Sequence, residues 1–284
     1  MSDPFIPFVT VYIPTKNRSK LVCRAINSVI NQTYSNIEII VVNDGSTDDT
    51  EYCLKHFQHH PQFSSINLST SQGACAARNL ALKQARGEFI TGLDDDDYFT
   101  QDRISSFIAT WNKNPNFVGL YSDATVLKKK SDSILLKRPT RSNQSALLTS
   151  NTIGNQIFTK TEYLRSVGGF SPEFPAWQDL ECWYRLLAKP GSEMLNTQIA
   201  TYIFDTSHEQ IRISDSAREK IYYCHQLFTE KHELSPKKAS LLLTHIYEYF
   251  PKDMPFSYPA VFFTKTLRVK STLRLIARRF RTGQ

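Results

Sequence analysis

The chain has 284 residues, 40% hydrophobic and 21% charged, an ordinary balance for a protein that buries a sizeable core. No basic segment followed by an apolar core opens it, and no run reaches the roughly 18 apolar residues of a membrane span, so neither a secretory signal nor an anchor is expected and the cytosol is the expected compartment. Five cysteines without a CxxC pair point to reduced thiols, and the net charge of +7 is local: seven of the 34 Lys and Arg lie after Asp253, where no acid follows, which points to an anionic partner.

In chain order, residues 9–13 predict a strand. Residues 19–32 carry Leu21, Ala25, Ile26 and Val29 at helical spacing, and the β-branched run 37–42 predicts a buried parallel strand. A short strand at 66–69, a helix at 73–86 and a strand at 88–93 follow. The strand runs directly into Asp94, Asp95, Asp96 and Asp97. A helix near 102–112 and a strand near 117–124 complete an open α/β sheet. Residues 128–151, polar and basic, predict a mobile loop; 157–167 and 179–187 predict helices, 197–204 a strand, and everything from about 215 onward a helical region.

In open α/β sheets ligands gather outside the carboxyl ends of the strands. The polar clusters fall there: 14–18 after the first strand, 43–50 after the second, 94–97 after the third. No GxGxxG follows the first strand, against a dinucleotide fold. Four adjacent carboxylates repel one another unless a cation is present, and hard Mg²⁺ or Mn²⁺ prefers such oxygen ligands. The same run also reads as a solvated acidic turn or a cap on the following helix. Residues 43–49 likewise read as a turn with Ser46 or Thr47 capping a helix, or as a carboxylate, Asp44, that receives a nucleobase N–H or a ribose hydroxyl.

Taken together, TVYIPTKNR, IEIIVVNDGSTDDT and QGACAARNLALKQARGEFITGLDDDDYF closely resemble the nucleotide-sugar domain of the family 2 inverting glycosyltransferases. The resemblance covers residues 8–125 and continues more weakly to about 214. It implies the GT-A fold, a Rossmann-like open mixed sheet flanked by helices, over 1–214. Of this, 1–125 would bind the nucleotide-sugar and 126–214 the acceptor, with a helical C-terminal extension over 215–284. It also implies that Asp44 reads the uracil of a UDP-sugar, that Arg78 and the backbone at Pro14 and Thr15 line the base pocket, that Asp94 holds the ribose, and that Asp96 carries Mn²⁺ or Mg²⁺ on the diphosphate. Asp95 falls where the family varies and is counted with the donor-binding residues; Asp97 is a neighbour.

The segment FPAWQDLECWYRLL resembles the family's acceptor-side motif, which makes Asp179 the base. Such a base is needed because a sugar hydroxyl attacks poorly until its proton is removed. Gln178 stands where the family more often has glutamate, and Asp179 also reads as a helix cap. Trp177 and Trp183 read as sugar-stacking rings or as core. His208 matches a histidine that relatives place near the metal or the leaving diphosphate, and Arg212 is a further candidate.

In the tail, Phe262, Val269, Leu273, Ile276 and Phe280 share one helical stripe, with Lys270, Arg274, Arg278 and Arg281 on another face. A basic amphipathic helix over 262–281 fits the plane of an anionic membrane; packing the stripe on the protein is the competing reading. No nucleic-acid motif accompanies the charge, so nucleic acid is not expected as a partner. The expected function is therefore sugar transfer to a glycan or lipid-linked acceptor of a bacterial surface polysaccharide, at the inner face of the membrane. The rivals are a sugar-phosphate nucleotidyltransferase, disfavoured because PTKNRSK lacks glycine for a triphosphate loop, and a binding module without catalysis.

Overall fold

β-branched and aliphatic residues that run together, as in IEIIVV, fill strands covered on both faces, and the fold is built on three of them with a fourth strand at the edge. In the computed structural model, which describes residues 6–128, 132–207 and 218–281, β1 (Val9–Thr15) pairs in parallel with β2 (Ile37–Asn43) and β4 (Phe89–Gly92), and β2 with β3 (Phe63–Asn67). Val9, Val11, Ile13, Ile39 and Val41 are fully buried. Helices α1 (Ser19–Ile30), α2 (Thr50–Lys55) and α3 (Ala74–Gln84) connect these strands. α1 puts Val22, Ala25, Ile26 and Val29 inward, at the helical spacing of the sequence.

β5 (Tyr98–Phe99), α4 (Arg103–Lys113), β6 (Gly119–Leu127), β7 (Ser133–Leu136), β8 (Arg141–Ser142), α5 (Gln144–Leu147), β9 (Phe158–Lys160), α6 (Thr161–Ser166), α7 (Gln178–Leu186) and β10 (Met194–Asp205) follow. The sheet runs β3-β2-β1-β4-β9-β6-β10-β5, with β7 also on β6 and β8 also on β10. β9 is antiparallel to both β4 and β6, and β6 is parallel to β10, which makes the sheet mixed.

The helix expected over 157–167 is thus a strand followed by a shorter helix. Phe158 explains the difference: its ring stacks between Phe89 (4.9 Å) and Phe107 (5.0 Å), with Trp111 edge-on to Phe89, and an extended backbone delivers it there. The loop expected over 128–151 contains β7, β8 and α5. Cys23 of α1 and Cys53 of α2 form a disulfide where reduced thiols were expected. Helix α2 begins at Thr50, beyond the cap at Ser46 or Thr47 that the sequence suggested, and nothing in the sequence placed the two cysteines side by side. Cys75, Cys182 and Cys224 are buried thiols.

The chain divides into two units: Met1–Gln144 with Thr152–Glu173 and Gln178–Gln210, and Ser145–Asn151 with Phe174–Trp177 and Ile211–Gln284. The second unit contains α8 (Arg218–Lys231), α9 (Pro236–Tyr249), α10 (Tyr258–Thr266) and α11 (Val269–Arg281), and its interior includes Phe228, Leu242, Ile246 and Phe262. Short segments 145–151 and 174–177 belong with these helices, although 214 was the expected single boundary. Among the described residues no helix is long and apolar enough to cross a membrane.

Because Phe158 lies between two rings with no exposure, Phe158→Ala should cost about 3–5 kcal/mol. Urea unfolding at unchanged slope measures this, and a loss under about 1 kcal/mol would show that the sheet is not held together there.

Candidate active site

The loops after β1 and β2 are laced together at the carboxyl edge of the sheet. Asn17, in a left-handed conformation (φ 53), donates its N–H to Ser46 Oγ (2.8 Å) and accepts the Thr47 N–H at Oδ1 (2.7 Å). Ser46 and Thr47 therefore hold the neighbouring loop. They do not cap α2, which begins at Thr50.

Asp44 is buried (4% exposed), and its carboxylate accepts from the Ser71 hydroxyl (2.6 Å) and from the N–H groups of Gln72 (2.7 Å) and Gly73 (3.0 Å), which lead into α3. It fixes the loop that would face a base. Gly45 (φ +66) is required there, since a Cβ would stand 2.6 Å from Ser71 N. Pro14 is half-buried beside this loop pair on β1, and Thr15 donates its hydroxyl to Asp95 Oδ2 (2.7 Å).

The acidic turn is resolved by giving each carboxylate its own partners. Asp94 accepts from Arg78 Nη2 (3.2 Å) and Gln156 Nε2 (2.9 Å) at one oxygen and from Asn155 Nδ2 (2.6 Å) at the other. Asp95 takes Thr15 and Arg18 Nη1 (2.8 Å), and the same Arg18 nitrogen lies 3.1 Å from Asp96 Oδ2. Asp97 accepts from the Tyr202 hydroxyl (2.9 Å) and from the Asp205 N–H (3.1 Å), tying the turn to β10. Arg24 reaches both the Asp96 carbonyl and the Asp205 carboxylate.

Burial pushes the Asp95 carboxyl up to about 6, with Arg18 and Thr15 opposing. Burial likewise works against the Arg18 cation, and Asp95 and Asp96 more than offset it, so its pKa lies above the ordinary value. Three His, Cys, Asp or Glu side chains do not converge as a ready-made cation site among the described residues. The available set is oxygen, with Asp96 as one hard donor, which suits an ion that takes one or two carboxylates and completes its shell with phosphate oxygens.

Arg78 is the joint between this turn and α7. Its Nη1 donates to Gln178 Oε1 (2.7 Å), its Nη2 to Asp94, and its guanidinium lies 5.4 Å from the centroid of the Phe170 ring. Asp179, half-buried in the first turn of α7, follows Gln178 directly. Trp183 is fully buried, with its indole N–H on the Gly154 carbonyl (2.8 Å), and Trp177 lies against His245; both are core. His208 and Arg212 lie outside the described residues. Asn155, Gln156 and Tyr202 escaped the sequence reading because no motif surrounds them, and Tyr12 and Arg18 lie within TVYIPTKNR without being singled out there; only their position next to the acidic turn reveals them.

The pattern for glycosyl transferase family 2 matches residues 10–167. WcaA of Escherichia coli strain K12, a glycosyl transferase assigned to colanic acid biosynthesis, is 33% identical over 241 residues, 82% of this chain and 84% of that one. WfgD of Escherichia coli, named UDP-Glc:alpha-D-GlcNAc-diphosphoundecaprenol beta-1,3-glucosyltransferase, is 29% identical over 191 residues, 66% of this chain and 73% of that one. In three dimensions the chain is similar to Staphylococcus aureus TarS 1-349 in complex with UDP-GlcNAc, with TM-score 0.69 and 19% identity over 95% of this chain and 79% of that one.

Gln156 both supports Asp94 and accepts the Tyr12 hydroxyl (3.0 Å), and a Cβ on Gly92 would meet its Oε1 at 2.0 Å. Gln156→Leu should therefore cost about 1–3 kcal/mol by stranding a buried hydroxyl, and weaken donor binding through Asp94. Unchanged stability together with unchanged titration of a UDP-sugar would refute this account of Gln156.

Proposed function

The chain belongs to glycosyl transferase family 2 and is a glycosyltransferase of the GT-A fold, and from that premise we propose an inverting enzyme that moves a sugar from a UDP-sugar to a hydroxyl of a lipid-linked glycan in bacterial surface-polysaccharide synthesis. The observation that carries it is the unbroken run Asp94–Arg78–Gln178, which links the acidic turn to the helix bearing Asp179. Donor and acceptor chemistry thereby share one frame. The relative whose name gives UDP-glucose as donor and a diphosphoundecaprenol-linked sugar as acceptor supports the choice of substrates.

In this reading Pro14, Thr15, Asp44 and Arg78 line the nucleotide pocket, Asp94 holds the ribose, Asp95 orders the loop through Thr15 and Arg18, and Asp96 holds Mn²⁺ or Mg²⁺, with His208 as a further candidate ligand. A bound divalent cation would supply positive charge opposite the charge that builds on the leaving diphosphate. Asp179 takes the proton of the acceptor hydroxyl on the face of the anomeric carbon away from the leaving group. A single displacement on that face inverts the centre, so an α-linked donor gives a β-linked product. Family membership counts against the nucleotidyltransferase.

UDP release from a panel of UDP-sugars with Mn²⁺ is the test. Asp96→Ala should abolish it, and Asp179→Asn should lower it by about 100-fold or more while donor binding stays within a few-fold. Donor binding without turnover would leave a binding module. Pyrophosphate release from a nucleoside triphosphate would instead restore the nucleotidyltransferase.

We place the protein peripherally on an anionic membrane, at the cytoplasmic face, through α11. Along its stripe Val269 is 57% exposed, Leu273 59%, Ile276 38% and Phe280 71%, whereas Phe262 is core and Leu275 is the α11 residue turned inward. Arg278 pairs with Glu248, and Arg279 covers Phe256 while donating to the carbonyls of Pro251 and Lys252, so both fasten the helix. Lys270 and Arg274 remain exposed beside the apolar stripe. Each basic side chain near an anionic surface contributes about 1 kcal/mol. Co-sedimentation with phosphatidylglycerol vesicles should exceed that with phosphatidylcholine and weaken with salt, and Leu273→Glu should cut it by about tenfold. Equal, salt-independent recovery with both lipids would overturn the assignment.

A further inference from the structure

Beside α7 lies a second fixed side chain, Arg138, that the donor-side motifs do not include. The segment between β7 and β8 is fastened to the sheet on both sides. The Arg138 N–H donates to Asp123 Oδ1 (2.9 Å), Asn196 Nδ2 donates to Asp123 (2.7 Å) and to the Arg138 carbonyl (3.1 Å), and the Tyr121 hydroxyl donates to the Pro139 carbonyl (2.7 Å). The Asn196 N–H closes the stitch on the Thr140 carbonyl (2.8 Å).

With its backbone held in this way, Arg138 lays its guanidinium on Gly154. A Cβ there would come within 2.7 Å of Nη2 and 2.8 Å of Cζ, and Gly154 has φ +99, so glycine is required on both counts. The carbonyl of Gly154 takes the indole N–H of Trp183, on the helical turn that follows Asp179. One backbone residue thus indexes the guanidinium against the helix that carries the base.

Burial lowers the Arg138 pKa, and the first charge that opposes this is Asp179, ahead of Tyr121 and Asp123. An arginine remains a cation even so. The other groups that register the Asp179 charge are Tyr12, Cys75 and Cys182, and burial keeps all three protonated. Arg78 is engaged by Asp94 and Gln178, and Glu181, on the same helix, by Arg185 (2.7 Å). Among these described groups Arg138 is a cation.

We propose that Arg138 is a positioning residue for the base: its guanidinium, seated on Gly154, holds a fixed positive charge to Asp179 and keeps that carboxylate in the anionic form that can accept a proton. The inference rests on Asp179 being the base. It differs from a purely structural role for Arg138 in what it predicts for Asp179 itself.

The test labels aspartate side-chain carboxyls with ¹³C, assigns Asp179 by its absence in Asp179→Asn, and follows it by NMR from about pH 3 to pH 8. Removing a nearby opposite charge raises a carboxyl pKa, so Arg138→Gln should move the midpoint up by about one unit or more, whereas Arg138→Lys should keep most of the wild-type value. Gly154→Ala displaces the guanidinium without deleting it and should move the midpoint the same way, which carries the test if Arg138→Gln does not fold. A midpoint unmoved by these changes overturns the proposal. The readout needs neither donor nor acceptor: if Asp179→Asn keeps full UDP release, the base assignment falls whatever the titration gives.

Discussion

Four carboxylates on consecutive residues are the constraint around which the first unit is arranged. Two like charges about 4 Å apart cost about 4 kcal/mol at an effective dielectric of 20, and Asp95, Asp96 and Asp97 are each 5% exposed or less. Water therefore cannot relieve them. The fold separates them by direction: Asp94 toward Arg78 and two amides, Asp95 and Asp96 toward Arg18, Asp97 toward Tyr202 and the backbone of β10. Strands β1 and β10, the residues before β9 and helix α3 each contribute a partner, so the turn is a meeting point of distant parts of the chain.

That arrangement links the acidic turn to α7 without a long relay. Arg78 cannot satisfy Asp94 without also lying beside Gln178, and Gln178 cannot move without the helix turn that holds Asp179. A neutral amide at 178 accepts the guanidinium without adding another negative charge next to Asp179. On the opposite side, Asp44 organises the loop before α3 through three donors, which fixes the start of the helix on which Arg78 sits. The loop after β2 and helix α7 are thus referred to one another through α3.

Much of this was legible in the sequence because it follows local rules. The run of Ile37 to Val42 reads as a doubly covered strand, the α1 periodicity reads as an amphipathic helix, and the polar clusters at strand ends mark the ligand edge. What escaped depends on distant packing. Phe158 lies in a pattern that also suits a helix, and only the rings of Phe89 and Phe107 make it a strand. Cys23 and Cys53 carry no sign of their pairing, because the separation of 30 residues says nothing until α2 is known. Asn155 and Gln156 are unremarkable residues before β9 that matter through where β9 goes. The tail stripe was visible as periodicity, but which of its members are exposed was not: Phe262 is core, and Leu275, off the stripe, turns inward.

The antiparallel placement of β9 also bears on the order in which the molecule assembles. Because β9 runs against β4, its beginning, not its end, lies at the carboxyl edge, and that is how Asn155 and Gln156 arrive beside Asp94. These two amides lie 61 and 62 residues further along the chain than the carboxylate they hold. A nascent chain that stops short of β9 therefore carries the aspartates without the two amides that hold Asp94.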